Sequence, residues 1–418
     1  MLNKPIIKTV LYYLLSGLSF TVICSMVIYP FLVMMPQNRG SLVGKDFRAY
    51  YTAGLMSEHN VRGNFYSLQT QYLWQKSFVP EMNGLITLLP FLNPPFMLVL
   101  LNPLAKVSFQ QAYFLWSLVN IFILVGLSYF CLRLFANREK LMKLFILFGL
   151  LLFAPFWETL IQGQLSFLLT LAMILSFYFW KYDKHFLTGL CLSILFIKPS
   201  FILVPFFLFF LKKQWSIVVG FIAGISFLCI GSWLVVGQHG VEGYIHLLVT
   251  ASIAGNMYGL HPQAEPTIKS ILLLLFHTYD IGKILWLWIS FSLVCFFLLL
   301  RTWKNDKSNQ QSFIQWSQLI LVMLLTSSHA NLHDMSLLAL VLLFLLQYML
   351  EQKSKVYMLP IILFLYSTLQ ISIFNYGVHM RIIAIGMIIT MMYIYVLKIL
   401  LDKRLSVHNP SNRINEIM

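Results

Sequence analysis

The segment GKDFRAYYTAG, residues 44–54, places three charges within four residues of a largely apolar sequence. Its carboxylate, Asp46, lies between Lys45 and Arg48 and follows soon after the first long apolar run. A carboxylate near the bilayer surface can accept the proton of a sugar hydroxyl, which is what a general base does. Lys45 and Arg48 would keep Asp46 ionised or approach an anionic substrate. A solvated aspartate paired with its basic neighbours is the alternative.

Lys198 is the second candidate, because it lies within the apolar stretch LFIKPSF, residues 195–201. It is far from both polar flanks, and Pro199 removes a backbone donor beside it. A lysine at an interrupted helix can bind a phosphate as a point charge. The alternative is a lysine that extends to the membrane surface from a tilted helix.

The segment SSHANLHDMSLL, residues 327–338, holds His329, His333 and Asp334 just before a predicted helix. The two histidines are four residues apart and would share a face if the segment were helical. No third ligand is evident, so we predict no metal site. A histidine and an aspartate that bind substrate or relay protons are the favoured interpretation, and Asp334 could instead cap the helix.

Other polar and aromatic side chains lie close to apolar runs. Glu158, Gln162 and Gln164 could hydrogen-bond sugar hydroxyls or satisfy helix ends. Tyr50 and Tyr51 could stack on a sugar ring or belong to an interfacial aromatic belt. The sequence contains no nucleotide-binding loop and no common hydrolase motif.

The elements that position these residues must be membrane helices. Apolar residues make up 59% of the 418-residue chain and charged residues 10%, with a mean hydropathy of +0.79, whereas soluble domains carry roughly a quarter charged residues. Apolar runs that approach or reach the ~20 residues of a membrane span recur along the chain; examples are Leu11–Met34, Phe114–Phe130, Ile217–Val236 and Ile382–Leu397. We therefore predict an all-α polytopic bundle as a single domain, residues 1–400, with a polar cytoplasmic tail, residues 401–418.

Charge distribution predicts the orientation of the loops. Most of the 29 Lys and Arg residues lie in short clusters between apolar runs, which is a topology signal rather than a sign of nucleic-acid binding. Both ends of the chain are then cytoplasmic. The segments expected to face outward are 36–92, 156–165, 237–268, 328–334 and 375–380. The five cysteines lie in or beside apolar runs without CxxC spacing, so we predict no disulfide framework.

Two apolar segments do not fit simple spanning helices. Residues 93–106 are interrupted by prolines and could form a re-entrant or half-spanning element. Residues 186–211 have basic residues on both flanks. The chain should therefore enter the membrane and return, with its turn at Lys198-Pro199.

Several segments together resemble glycosyltransferase family 87, whose best-known members are polyprenyl-phosphate-mannose-dependent mannosyltransferases of bacterial envelopes. The similarity lies in their order and spacing: DFRAYYTAG (46–54), NPPFMLVLLNPLAKVSFQQAYFLWSLVN (93–120), GQLSFLLTLAMIL (163–175) and FLTGLCLSILFIKPSFILVPFFLFFLKKQW (186–215). The SHANLHD segment is less similar. Ser166 stands where the family commonly has asparagine, and most of residues 216–418 carries no alignable motif.

The resemblance implies a GT-C type fold with outer-face loops and broken helices. It also implies transfer of a hexose, with mannose as the expected sugar, from a polyprenyl-phosphate donor to a lipid or glycan acceptor, with no cofactor besides that donor. The reaction would take place on the periplasmic face of the bacterial cytoplasmic membrane.

The resemblance gives the first-loop aspartate, Asp46, the role of general base in an inverting transfer. Lys198 or Arg48 would stabilise the leaving phosphate. His333 or His329 would orient the acceptor or share the proton. Substrate contacts are expected from these residues together with Tyr50, Gln164 and Asp334.

Two other classes of protein remain as alternatives. In a transporter or lipid flippase, Lys198 and the broken helices would form a midplane site. No convincing inverted repeat is present, however, and the polar residues collect on one side. A structural or assembly protein of the membrane would need neither Asp46 nor Lys198.

Overall fold

The computed structural model describes residues 4–33, 44–61, 64–80, 82–253, 265–278, 280–304, 309–352 and 378–408. Every regular element among these residues is helical, which confirms the all-α prediction. In chain order the α-helices are α1 (Lys4–Val33), α2 (Phe47–Glu58), α3 (Leu68–Lys76), α4 (Leu98–Leu101), α5 (Phe109–Arg133), α6 (Lys140–Leu151), α7 (Ala154–Gln162), α8 (Ser166–Lys181), α9 (His185–Ser193), α10 (Leu203–Leu211), α11 (Trp215–Ile253), α12 (Ile268–Leu275), α13 (Ile281–Thr302), α14 (Asn309–Thr326), α15 (Leu338–Glu351) and α16 (Val378–His408).

Several of these helices have the length and composition of membrane spans. Within the described ranges, five segments qualify: Ile7–Ile28, Phe109–Arg133, Trp215–Ala251, Ile281–Thr302 and Leu332–Glu351. The protein is thus a polytopic helical membrane protein, as predicted. The Leu332–Glu351 span is the most enclosed of the five, with 89% of its apolar window buried.

Helices α6 and α7 form an apolar pair bent by 46° at a short break, the geometry of a broken span or a re-entrant loop. Phe153 adopts an extended backbone at the break, and Pro155 lies in the first turn of α7, where its missing N–H costs no helical hydrogen bond. The predicted outward segment 156–165 is therefore largely helical. Its last three residues, 163–165, form the turn that leads into α8.

Short elements build the segment between α1 and α5. Among the described residues there are three α-helices, α2 to α4, and 3-10 turns at Leu85–Thr87, Pro95–Met97 and Asn102–Lys106. The prolines prevent one continuous helix over 93–106, as predicted. Gly54 of α2 lies directly against the carbonyl of Leu101, where a side chain would collide with the backbone. This close approach joins α2 to the proline-interrupted segment.

Residues 186–211 follow the path that their basic flanks predict. Helix α9 and a 3-10 turn lead to Lys198, whose backbone leaves the helical region (φ −126°, ψ 87°), and Pro199 begins the return through α10. Gly189 in α9 packs against the backbone of Ile217, a few residues after α10 ends. Both flanks therefore lie at the same end of the bundle, and the turn at Lys198-Pro199 is confirmed.

The structure adds detail to two predicted segments. In the second outer loop, predicted at 237–268, the backbone leaves the helical region at Gly237 (φ 70°, ψ −176°), and a second helical part of α11 follows as far as Ile253. In the predicted polar tail, residues 401–418, helix α16 continues to His408. A polar sequence can continue a helix. Residues 36–43, 254–264, 375–377 and 409–418 of the predicted loops and tail lie outside the described residues.

Candidate active site

Residues from four separate parts of the chain meet at one end of the bundle. They come from the start of α2, the turn between α7 and α8, the break between α9 and α10, and the loop before α15. Hydrogen bonds and ion pairs connect these parts: Gln164 contacts Asp46, and Asp334 contacts both Ser166 and Lys198. The broken helices therefore bring together most of the residues that the sequence identifies as candidates.

Asp46 lies immediately before α2 but makes no capping hydrogen bond to that helix. Its Oδ2 accepts a hydrogen bond of 2.7 Å from Nε2 of Gln164. The side chain is 29% exposed, in contrast to 1% for Asp334. The Asp46 carboxylate is thus oriented by Gln164 and remains accessible from outside the protein.

Gln164 is itself fixed by a tight turn. Gly163 has a left-handed backbone (φ 74°), and a Cβ at this position would lie 2.8 Å from Cβ of Phe47. Nε1 of Trp116 donates to the carbonyl oxygen of Gly163 at 2.8 Å. The hydroxyl of Tyr50 donates to Oε1 of Gln164 at 2.8 Å. The turn therefore fixes both ends of the Gln164 amide between Tyr50 and Asp46.

Tyr50 and Tyr51 are buried in an aromatic cluster with Phe47. Burial, with a smaller effect of nearby Asp46, raises the pKa of Tyr50 far above its ordinary value, so the hydroxyl remains a donor. The hydroxyl of Tyr51 donates to the carbonyl oxygen of Val107 at 2.8 Å. Neither ring is open to a sugar or to lipid in this structure. Tyr50 contributes to the site through its hydrogen bond to Gln164.

Lys198 and Asp334 form an ion pair within the cluster. Nζ of Lys198 donates to Oδ2 of Asp334, and only 15% of the Lys198 side chain is exposed, so its ammonium is held within the protein. The backbone N–H of Asn331 donates to the same oxygen at 2.7 Å, and Ser166 Oγ donates to Oδ1 at 3.2 Å. Asp334 consequently caps the 3-10 turn before α15, which is one of the alternatives from the sequence, and it also pairs with Lys198. Ser166, at the position where the resemblance expects asparagine, thus hydrogen-bonds to Asp334.

His333 lies between the two aspartates. Its Nε2 is 3.6 Å from Oδ2 of Asp334, and its Nδ1 is 4.0 Å from Oδ2 of Asp46. The backbone carbonyl of His333 accepts hydrogen bonds from Thr159 and Ser336, which fixes the ring through the main chain. The imidazole is therefore placed to exchange a proton with either carboxylate after a small movement.

His329 has a different set of partners. Its Nδ1 is 2.6 Å from Oε1 of Glu265, and Nζ of Lys269 is 3.0 Å from Oε2 of the same carboxylate. His329 and His333 do not share a helical face, because regular structure begins only at the 3-10 turn Leu332–Leu337. Glu265 and Lys269 were not among the residues selected from the sequence. Their i,i+4 spacing just before and within α12 was the available signal.

A sequence model of glycosyltransferase family 87 matches residues 91–328, more than half of the chain. The chain belongs to glycosyltransferase family 87. It is therefore a membrane glycosyltransferase, which implies a sugar donor, an acceptor and a lipid bilayer as partners. No curated protein and no solved structure matches the chain. The matched region includes Gln164 and Lys198, whereas Asp46 and the residues from His329 to Asp334 lie outside it.

The remaining predicted residues of this glycosyltransferase take less central positions. Arg48 is half-buried in the first turn of α2, and Lys45 is exposed. Gln162 donates to Glu158 within α7 at 3.2 Å. Among the described residues, no three His, Cys, Asp or Glu side chains are arranged to hold a metal ion.

The ionic groups of the cluster are not equivalent. Asp334 contacts the ammonium of Lys198, and Glu265 contacts the ammonium of Lys269. Asp46 accepts instead from a neutral amide and is much more exposed. Of these three carboxylates, Asp46 is therefore the one that a substrate can reach most easily.

Proposed function

We propose that this glycosyltransferase transfers a hexose, with mannose as the expected sugar, from a polyprenyl-phosphate donor to a lipid or glycan acceptor. Asp46 is the general base. The observation that carries this proposal is the contrast between Asp46, held by Gln164 and 29% exposed, and Asp334, which is enclosed and paired with Lys198. A catalytic base needs both access to its substrate and a fixed orientation.

The reaction follows from this arrangement. Gln164 holds Oδ2 of Asp46, so Oδ1 is the oxygen that takes the proton as the acceptor hydroxyl attacks the anomeric carbon. The new bond forms between the acceptor oxygen and that carbon. The bond from carbon to phosphate oxygen breaks on the opposite face, and the phosphate leaves with the electron pair. The configuration at the anomeric carbon inverts.

Lys198 supplies the positive charge for the leaving phosphate. Lysine binds phosphate as a point charge, and stabilisation of the developing negative charge is commonly a large contribution to catalysis. In this structure the ammonium of Lys198 is paired with Asp334, so the donor phosphate would share or replace that contact. Asp334 thereby holds Lys198 at the site until the donor binds.

His333 helps to orient the base. Its Nδ1 lies 4.0 Å from Oδ2 of Asp46, the oxygen that Gln164 holds, so a small approach brings the two groups within hydrogen-bonding distance. After transfer, the proton on Oδ1 passes to water from the partly exposed carboxylate, which restores the ionised base for the next acceptor.

Charge distribution supports an outward-facing site. Helix α8 begins at Ser166, beside Asp334, and ends at Lys181. At 1.5 Å per residue these ends are about 22 Å apart, so a basic end of the bundle lies opposite the cluster. Because basic ends face the cytoplasm, the site would open to the periplasm of a bacterial cytoplasmic membrane.

The experiment uses purified protein in lipid nanodiscs with radiolabelled polyprenyl-phosphate-mannose and an extract of envelope lipids and glycans. Transfer is followed by chromatography, and the products are identified by mass spectrometry. We expect transfer by the natural protein and at least a hundredfold loss in Asp46→Asn, since general-base catalysis contributes about 10²–10⁴-fold. Glu58→Gln, which removes an exposed carboxylate at the end of the same helix, is the matched control. Full transfer by Asp46→Asn would overturn the assignment of the base, and movement of the donor across the membrane without sugar transfer would favour a flippase.

A further inference from the structure

A second ionic cluster lies beside the turn at Lys198-Pro199 and is not used by the mechanism above. Glu265 is 3% exposed and contacts Lys269 on one carboxylate oxygen and His329 on the other. Nζ of Lys269 also donates to the carbonyl oxygen of Ser328, next to His329. The cluster therefore fixes the backbone and the side chain of the loop that carries His329.

The contact with Glu265 determines where His329 carries its proton. Burial by itself would raise the pKa of Glu265, but His329 and Lys269 outweigh burial and hold that pKa below its ordinary value. An ionised carboxylate can only accept hydrogen bonds, so Nδ1 of His329, 2.6 Å away, is the donor. In the neutral imidazole with its proton on Nδ1, Nε2 carries the lone pair.

Nε2 has a neighbouring polar group. Nδ2 of Asn331 is 3.4 Å away, a long contact that a substrate hydroxyl would replace. His329 has 36% of its side chain exposed, whereas Glu265 behind it is enclosed. Ser200, two residues after Lys198, donates to the carbonyl oxygen of His329 at 3.2 Å. The accessible lone pair of Nε2 thus lies near the turn that carries Lys198, the proposed phosphate ligand.

We propose that Glu265 is a positioning residue that holds neutral His329 with its Nε2 lone pair toward the substrate, and that this nitrogen accepts a hydrogen bond from a sugar hydroxyl. The donor phosphate is not its ligand, because an ionised phosphodiester has no proton to donate and Nε2 in this tautomer has none to offer. The assignment of a sugar rests on the proposed function. The hydroxyl belongs to the donor hexose or to a glycan acceptor, and the kinetic experiment separates these sources.

The tautomer can be measured without any activity. Protein labelled with ¹⁵N-histidine is examined by NMR in nanodiscs near pH 8, and His329→Gln assigns the resonance by its disappearance. We expect a protonated Nδ1 and an unprotonated Nε2 in the natural protein. In Glu265→Gln the new amide can donate to Nδ1, so the proton should move to Nε2. A natural protein with Nε2 protonated would overturn the proposal, and this measurement remains decisive if Glu265→Gln does not fold.

The second experiment varies donor and acceptor concentrations separately in the transfer assay. For Glu265→Gln and His329→Gln we expect a KM increased by about five- to thirtyfold, as for loss of one well-placed hydrogen bond, with kcat within about threefold. A change in KM for the donor alone assigns the hydroxyl to the hexose, and a change for the acceptor alone assigns it to the glycan. Inhibition by polyprenyl phosphate should be unaltered; weaker inhibition in both variants would show phosphate binding and overturn the proposal. An unchanged KM for both substrates would also overturn it.

Glu242→Gln is the matched control for both experiments. Glu242 is an exposed glutamate of α11 whose carboxylate contacts Nδ1 of His239 at 3.3 Å, outside the cluster. The substitution removes the same kind of contact and should leave both KM values and the His329 resonance unchanged. If no transfer occurs in any variant, the proposed function fails while the NMR result still decides the role of Glu265.

Discussion

Gln164 donates a 2.7 Å hydrogen bond to the carboxylate of Asp46, 118 residues away in the sequence. The other end of its amide accepts from Tyr50, a buried donor. Gln164 therefore orients the proposed base instead of lying open to a sugar. The relationship explains why a polar glutamine occurs at the start of an apolar span.

Gln164→Leu should lower kcat by about tenfold to a hundredfold, because a hydrogen bond to a charged group contributes about 1.5–3 kcal/mol. The donor KM should change less, since the substitution acts on the base. Transfer kinetics with polyprenyl-phosphate-mannose check this prediction. Gln162→Leu, two residues earlier and bonded only to Glu158 among the contacts described above, should retain activity within about twofold. A loss of equal size in both variants would assign the effect to local packing.

The Lys198–Asp334 pair predicts a pattern of stability in a double-mutant cycle. Lys198→Met leaves the enclosed Asp334 carboxylate without its ammonium partner and should cost about 3 kcal/mol. Lys198→Met with Asp334→Asn removes both charges and should recover most of that stability without recovering transfer. Unfolding midpoints in detergent, measured alongside the transfer assay, check both parts. Simple addition of the two single effects would contradict a coupled pair.

Most residues of this cluster could be identified from the sequence, but the contacts between them could not. Asp46, Lys198, His333 and Asp334 stand out because ionisable groups are rare in apolar segments. Which of them touch depends on how α2, α8 and the α9–α10 turn pack, and those contacts join residues more than 100 positions apart. Local composition carries little information about such pairing.

Other features were missed because a residue type has several uses. Glu265 resembled any acidic loop residue until its enclosure by Lys269 and His329 was visible. Tyr50 fitted an exposed aromatic belt in the sequence, whereas α2 folds inward and buries it. The fold class followed readily from hydropathy, but the second helical part of α11, after the kink at Gly237, did not. Hydropathy marks apolar runs and does not show which loop residues form a helix.

The buried Glu265 predicts how stability depends on pH. Its pKa is lowered in the folded protein, so it contributes stability that is complete above the ordinary glutamate value of 4.5 and is lost as the pH falls through the folded value. Glu265→Gln should therefore be less stable than the natural protein at pH 7, and the difference should shrink below about pH 4.5. Unfolding midpoints across this range check the prediction. A difference that grows on acidification would contradict the sign of the shift.

The turn at Gly163 offers a separate test of how the site is held. Its left-handed backbone and the 2.8 Å approach to Phe47 leave no room for a side chain, so Gly163→Ala should cost about 1–2 kcal/mol and displace Gln164. Transfer should fall with stability, because Asp46 loses its orienting amide. Gly149→Ala in α6, where nothing lies near an added methyl group, should instead be neutral or stabilising by up to about 1 kcal/mol. Unfolding midpoints and kcat for the two variants decide the matter, and a Gly163→Ala protein with normal values for both would mean that the turn does not position the base.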